Sequence, residues 1–214
     1  MLATPTHDGR VECTYANGVV EAVKLCAKSG IDLFPVWWPG EALVQHARNM
    51  LVAMALEAKV DDLIFVDADQ EFTGEQVLAL LCHKVDCVGA PVRLKTDEHE
   101  GYNVRALDGL AGRNGGLWAV DGVGTGFLRL SREALKSLWE LSEPYEKNGQ
   151  KARMVFEVGV VDGRLVGEDV SMCLKLTHEK IPIHIDPSMV PGHIGPKNYK
   201  GNFKDWVARL HAAT

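Results

Sequence analysis

Apolar positions along the chain follow two periods, one suited to buried strands and one to amphipathic helices. Residues 2–4 form a short opening strand, followed by a turn with Pro5, Asp8 and Gly9. Ala16, Val19, Val20, Val23 and Cys26 recur at three- and four-residue steps and so share one helical face. Ser29-Gly30 supplies the stop, because glycine accepts the left-handed backbone there. Residues 31–37 read as a strand, and Pro39-Gly40 opens a second helix with the face Val44, Ala47, Leu51, Met54, Ala55 and Ala58. Leu63-Ile64-Phe65-Val66 is wholly apolar, as a central strand covered on both faces must be. Thr73 and Gln76 have capping-box spacing for a helix through Val77, Leu80 and Leu81, and residues 85–90 make another buried strand. This βαβαβαβ order predicts a mostly parallel central sheet with helices on both faces, whose ligands sit at the carboxyl ends of the strands.

The alternation breaks between Arg93 and Val120, a stretch holding Gly101, Gly109, Gly112, Gly115 and Gly116. Such a stretch is either a functional loop or a set of short hairpins. Residues 123–130 then read as a strand, and Ser131 caps a helix through Leu135, Leu138 and Trp139. Asp162-Gly163 suits a tight hairpin within residues 155–166, and residues 168–177 read as a helix. Ile181, Ile183 and Ile185 alternate as a strand that Pro182 confines to an edge, part of a small antiparallel extension. Beyond Gly195, Lys197, Lys200, Lys204 and Arg209 oppose only Asp205.

With 214 residues and neither repeat nor composition break, the chain reads as one Rossmann-like α/β domain. The net charge of −6 disfavours a protein held mainly by nucleic-acid phosphates, although Arg93, Lys95, Arg105 and Arg113 could form a local basic track. No apolar run reaches the roughly 20 residues that cross a bilayer, and residues 1–8 carry no export-signal pattern. Five cysteines without a C-x-x-C fit reduced thiols in a cytoplasm. Membrane anchor, secreted disulfide scaffold and zinc ribbon are therefore disfavoured.

The chemistry-bearing signals are few. Asp67-Ala68-Asp69 follows an apolar strand, and two such carboxylates can offer hard oxygens to Mg²⁺ or Mn²⁺; alternatively they end the strand and cap the next turn. Glu168-Asp169 can supply a general base, or can merely complement a helix N-terminus. His193 lies between Gly192 and Gly195, with Lys197, Tyr199 and Lys200 following, either as metal ligand and phosphate clamp or as a solvated tail. Arg48-Asn49 lies beside the apolar face of the second helix, as a structural ion pair or a nucleotide contact. Gly122-Val123-Gly124-Thr125-Gly126 precedes a strand, which argues against a dinucleotide fingerprint, and Glu98-His99-Glu100 reads as a polar loop. Neither a phosphate-binding P-loop nor a Gly-x-Ser-x-Gly elbow occurs.

In this order, Ala3-Thr4-Pro5-Thr6, Arg48-Asn49, Phe65-Val66-Asp67-Ala68-Asp69, Gly124-Thr125-Gly126-Phe127, Gly167-Glu168-Asp169 and Gly192-His193 resemble the GT-A glycosyltransferases, particularly short stand-alone bacterial and phage members. The resemblance spans nearly the whole chain and implies transfer of a sugar from a nucleotide sugar, a UDP-sugar first, to an acceptor hydroxyl. It implies a nucleotide-binding half over residues 1–92 and an acceptor-binding half with a closing segment over residues 93–214. Thr4, Pro5 and Thr6 would hold base and ribose with Arg48 nearby, and Asp67 and Ala68 would face the nucleotide. Asp69 and His193, with Asp67 beside them, would ligate Mn²⁺ or Mg²⁺, and Lys197 and Lys200 would close over the phosphates. Gly124, Thr125 and Gly126 would lie beneath the donor sugar; Asp169 would be the catalytic base, with Glu168 second. The helix continues Val-Ser-Met-Cys without the basic-aromatic acceptor motif of many inverting members, which leaves stereochemistry open. A surface glycan, a protein and a hydroxymethylated phage DNA base remain as acceptors. The alternatives are a nucleotidyltransferase of related fold, although the segment from Thr4 to Arg10 is too short and glycine-poor for its loop, and a non-catalytic sugar-nucleotide-binding module.

Overall fold

A computed structural model describes residues 1–106 and 116–212, so Gly109, Gly112, Arg113 and Gly115 lie outside the described residues. The chain begins with β1 (Leu2–Thr6) and α1 (Cys13–Lys28), and α1 stops at Ser29 with Gly30 at φ +75°. The buried face of α1 is Tyr15, Gly18, Val19, Ala22 and Cys26, whereas Ala16 and Val20 are exposed. The helix is rotated from its periodic reading because the Tyr15 hydroxyl is hydrogen-bonded to buried Thr4 and Gly18 abuts Phe72.

β2 (Pro35–Pro39) starts later than the sequence suggests, and α2 (Val44–Glu57) starts four residues beyond Gly40. Pro39 is used up opposite Thr6 at the end of β2, and Gly40 turns the chain at φ +78° while donating to the Thr6 carbonyl. β3 (Asp62–Val66), β4 (Gln70–Glu71) and α3 (Gly74–Cys82) follow, and α3 carries both halves of the Thr73/Gln76 capping box. Next come β5 (Cys87–Gly89), β6 (Val104–Arg105), β7 (Trp118–Val120), β8 (Gly122–Val123) and β9 (Phe127–Ser131). The predicted strand over residues 123–130 is thus divided at Gly124-Thr125-Gly126, since β8 pairs with β6 while β9 enters the main sheet.

Ser131 caps α4 (Arg132–Leu141) by accepting from the Ala134 N–H. Two hairpins follow, β10 (Pro144–Lys147) with β11 (Gln150–Arg153), and β12 (Gly159–Val161) with β13 (Arg164–Val166). Their turns, Asn148-Gly149 and Asp162-Gly163, place both residues at positive φ, the geometry that matches strand twist in two-residue hairpins. α5 (Glu168–His178), β14 (Ile183–Ile185), β15 (Gly192–Ile194), β16 (Asn198–Tyr199) and α6 (Phe203–Ala212) complete the described elements.

The main sheet has the order β2-β1-β3-β9-β5-β14-β7. β2, β1, β3, β5 and β14 share one direction, while β9 and β7 run against them. β14 is not an edge strand, as Pro182 had suggested; it lies between β5 and β7, and the proline precedes the ladder rather than interrupting it. Alternate side chains feed two cores. Leu2, Ile64 and Val66 pack with α1 and α3 on one face, and Ala3, Leu63 and Phe65 pack with α2, α4 and α5 on the other. Helices on both faces of a mostly co-directional sheet make this a Rossmann-like α/β fold.

Close approach of α1 to α3 depends on glycine: a Cβ at Gly18 would stand 2.6 Å from the Phe72 carbonyl oxygen, and one at Gly74 would stand 2.8 Å from the Glu21 carbonyl carbon. Alanine is the better helix former by up to about 1 kcal/mol, but overpacking against backbone costs about 1–3 kcal/mol. Gly18→Ala is therefore expected to destabilise the protein, read as a lower urea midpoint with an unchanged slope.

Candidate active site

The carboxyl ends of β1 and β3 open on a cleft of about 700 Å³, floored by Pro5, Thr6, Asp67, Ala68 and Asp69. A recess of about 200 Å³ adjoins it, lined by Gln70, Asn103, Gly124, Thr125, Gly126, Glu168, Asp169 and His193. Arg48 and Asp67 line both. Ligands of α/β sheets gather at such strand ends, where loops replace the ladder.

Arg48 is a buried guanidinium on α2 that bridges two segments distant in sequence. It donates to Glu168 Oε1 at 2.6 Å and to Asp67 Oδ1 and Oδ2 at 3.0 and 3.3 Å. Burial opposes its charge, and the Asp67 and Glu168 carboxylates outweigh that penalty, so its pKa rises. Its neighbour Asn49 holds the Phe156 backbone from both sides, accepting from the N–H at 2.7 Å and donating to the carbonyl at 3.0 Å. Arg48 thus ties Asp67 at the end of β3 to Glu168 at the start of α5. Gly126 lies against this bridge, and a Cβ there would come within 3.3 Å of Asp67 Oδ2.

Asp69 and His193 meet from opposite ends of the chain. β15 pairs with β4, placing His193 opposite Gln70, and the Ile194 N–H donates to the Asp69 carbonyl at 2.8 Å. His193 Nε2 lies 3.6 Å from Asp69 Oδ2, and Nδ1 is 2.9 Å from the Arg93 carbonyl. The carbonyl can only accept, so Nδ1 donates to it, and the ring turns Nε2 towards Asp69. Lys95 Nζ reaches the same Asp69 oxygen at 2.5 Å. Burial raises the Asp69 pKa, but hydrogen bonds and charge from His193 and Lys95 prevail and hold it at about 2.

The two acids that open α5 differ in setting. Glu168 is committed to Arg48, whereas Asp169 accepts from the Val170 N–H at 2.7 Å. Burial and the adjacent Glu168 charge push the Asp169 pKa up, against the Val170 N–H and Arg48. Both acids also occupy the first turn of α5, where the helix dipole favours them.

Other predicted site residues lie elsewhere. Thr4 is buried beneath the cleft floor with its hydroxyl on Tyr15. Lys197 pairs with Asp97, and Lys200 pairs with Glu71 at 2.7 Å, because the β15–β16 hairpin turns Lys200 back onto β4. Neither lysine lines the two cavities. The C-terminal segment is no solvated tail: Phe203 and Trp206 of α6 pack on Tyr102, and Arg209 pairs with Glu100. Of the basic track, Arg93 donates to the Lys200 carbonyl at 2.9 Å and Lys95 is held by Asp69, while Arg113 lies outside the described residues.

Three residues of the site carry no signal for this role in the sequence. Lys95 reads as part of a local basic track; Asn103, whose Oδ1 accepts from the Val92 N–H at 2.8 Å, has no motif to mark it. Gln70 stands directly after the Asp-x-Asp signal, and burial leaves both its amide atoms without a partner. Thr6 Oγ1, Arg48 Nε and Asp69 Oδ1 are orphaned in the same way, so several unpaired buried polar atoms surround one cleft. Buried polar groups are normally paired, which marks this region as built for something other than packing.

Asp69 and His193 offer a carboxylate oxygen and an imidazole nitrogen, a donor set compatible with Mn²⁺ or Mg²⁺. Asp67 is turned to Arg48 instead, and no three His, Cys, Asp or Glu side chains converge into a metal cage among the described residues. The pair fits a cation that draws its remaining ligands from phosphate oxygens and water, as Mg²⁺ commonly does.

No family model and no curated protein matches the chain. Among solved structures, A197 from STIV aligns over 95% of this chain and 90% of its own, with TM-score 0.57 and 20% identity. That likeness is one of fold. A glycosyltransferase involved in the glycosylation of the major capsid of PBCV-1 aligns over 65% of each chain at 12% identity and TM-score 0.35. CMP:2-keto-3-deoxy-manno-octonic acid synthetase in complex with CTP aligns over 100% of this chain and 97% of its own at 9% identity and TM-score 0.46. The last two superpose too loosely to add to the assignment. No helix among the described residues is long and apolar enough to cross a membrane.

Proposed function

We propose that this protein is a cation-dependent glycosyltransferase that moves a sugar from a nucleoside diphosphate sugar, a UDP-sugar first, to an acceptor hydroxyl. The observation that carries this reading is the meeting of Asp69 with His193 beside the Asp67–Arg48–Glu168 bridge, on a cleft large enough for a nucleotide. Asp8, Glu12, Glu41, Asp67 and Asp69 line that cleft against Arg10 and Arg48, an acidic balance that repels a diphosphate unless a cation accompanies it. Bound by Asp69 and His193, Mn²⁺ or Mg²⁺ would neutralise charge on the departing diphosphate.

In this reading the nucleotide occupies the larger cleft along Pro5, Thr6 and Ala68, and the transferred sugar occupies the recess above Gly124, Thr125 and Gly126. Asp169 takes the proton from the attacking hydroxyl, and Arg48 fixes Glu168 beside it so that only one of the two acids is free to act. The bond from the anomeric carbon to the diphosphate breaks as the bond to the acceptor oxygen forms, leaving the diphosphate as product.

Calorimetric titration of UDP and of GDP, each with and without Mn²⁺, tests the proposal. Binding of at least one diphosphate is expected to strengthen about tenfold or more with Mn²⁺, a coupling within the usual range for linked ligands. Chelation of the metal should reverse it, and Asp69→Asn should lose it. Absence of binding by any nucleoside diphosphate or sugar nucleotide would refute the reading. Pyrophosphate release from a nucleoside triphosphate and sugar would replace it with nucleotidyl transfer.

A further inference from the structure

The segment that fixes His193 also carries a competitor for the cation. Arg93 accepts the His193 Nδ1–H on its carbonyl, and two residues later Lys95 lays its ammonium on the Asp69 oxygen that faces His193. The segment is clasped at its base by the Arg93–Tyr102 bridge and the Leu94 N–H to Gly101 carbonyl bond of 2.9 Å. The Lys95 stem is guided over Gly195, where a Cβ would stand 3.1 Å from Lys95 Cδ. A side chain at position 195 would therefore require the Lys95 stem to shift by a few tenths of an ångström. The two partners are 30% and 37% exposed, and ion pairs that wet contribute little to folding, so this one can open without loss of the fold.

We propose that Lys95 is a built-in gate on the cation site: its ammonium holds Asp69 in the free protein, and a divalent cation must displace it. The inference rests on the proposed cation role of Asp69 and His193. A displaced ammonium stays within the reach of its own four-carbon stem, beside the anion that the cation accompanies. It can then pair with a phosphate oxygen, so the nucleotide restores to Lys95 the ion pair that the cation broke. Cation alone therefore binds weakly, nucleotide alone meets an acidic cleft, and the two together bind with positive coupling. Linkage makes that coupling reciprocal: the factor by which nucleotide strengthens cation binding equals the factor by which cation strengthens nucleotide binding.

The experiment is titration of Mn²⁺ into the full chain, followed by calorimetry and by the electron-paramagnetic signal of free Mn²⁺, with and without saturating UDP, for wild type, Lys95→Met, Lys95→Arg and Asp69→Asn. Lys95→Met is expected to bind Mn²⁺ alone about five- to tenfold more tightly than wild type and to show a smaller Mn²⁺–UDP coupling factor. Lys95→Arg keeps a cation on Asp69 and is expected to bind Mn²⁺ alone as weakly as wild type. Asp69→Asn is expected to lose Mn²⁺ binding. Unchanged melting temperatures across the lysine variants separate gating from misfolding. Equal Mn²⁺ affinity of wild type and Lys95→Met, with UDP coupling intact, would overturn the gate and leave the transferase reading standing. If no variant binds Mn²⁺ with or without UDP, the cation role itself falls, and the gate with it.

Discussion

Replacing Arg48 with methionine is expected to destabilise the protein by about 3–5 kcal/mol, because it leaves two shielded carboxylates without their counter-charge. For a domain of this size that corresponds to a fall of roughly 6–20 °C in melting temperature. Methionine is close to arginine in volume, so cavity formation contributes little to the loss. What remains is Asp67 and Glu168 facing one another, at 30% and 21% side-chain exposure, with the guanidinium that neutralised both removed. A double variant, Arg48→Met with Glu168→Gln, removes one of the stranded charges and is expected to regain part of the lost stability. The coupling read from that cycle isolates the electrostatic part from any repacking of α2. A loss under about 1 kcal/mol for Arg48→Met, the range of an exposed pair, would mean that water already screens these acids and that the bridge does not organise the site.

That bridge shows where a sequence is informative and where it is not. Local rules identified the elements: the Thr73/Gln76 box, the Ser131 cap and the Asp162-Gly163 turn depend on residues within a few positions, and each forms as expected. Asn148-Gly149 forms the β10–β11 turn by the same rule, although no hairpin is read there from the sequence. Strand direction is not local. An apolar run reads the same forwards and backwards, so nothing in Phe127–Ser131 announces that it runs antiparallel between β3 and β5. The Pro182 rule failed for a geometric reason, since the proline stands one residue outside the ladder it would have broken.

The site follows the same division. Asp67, Asp69 and His193 register as candidates because acids at a strand end and a histidine between glycines stand out from a packing pattern, and the structure brings Asp69 and His193 together. Their pairings do not register. Arg48 reads as a structural ion pair or a nucleotide contact with no partner identified until α5 brings Glu168 to it, and Lys95 reads as part of a basic track until the chain folds it onto Asp69. Lys197 and Lys200 failed in the opposite sense: sequence proximity to His193 suggested a phosphate clamp, but the β15–β16 turn sends Lys200 to Glu71 and leaves Lys197 on Asp97. Charge partners are a tertiary property, so a basic residue near a motif says little about what it neutralises.

Asp169→Asn is expected to lower kcat by about 10²–10⁴-fold, the usual contribution of a positioned general base, while Mn²⁺-dependent UDP binding stays within about twofold of wild type. Asparagine keeps the size of the side chain and can still accept the Val170 N–H through its amide oxygen, so the start of α5 is preserved. It cannot take a proton. Burial and the neighbouring Glu168 raise the Asp169 pKa, so the acid limb of the wild-type rate is displaced upward from that of an ordinary aspartate, with activity lost as pH falls through the raised value. The same shift has a stability consequence with a fixed sign. A carboxyl whose folded pKa exceeds its unfolded pKa opposes folding when ionised, fully at pH above the folded value and not at all below the unfolded one. Asp169→Asn is accordingly expected to raise the melting temperature slightly near neutral pH and to lose that advantage in acid, where wild type is protonated in both states. A variant that is more stable, binds the diphosphate and does not transfer would separate a catalytic acid from a structural one, since removing a merely structural carboxylate from the first turn of α5 should weaken the helix and leave turnover intact.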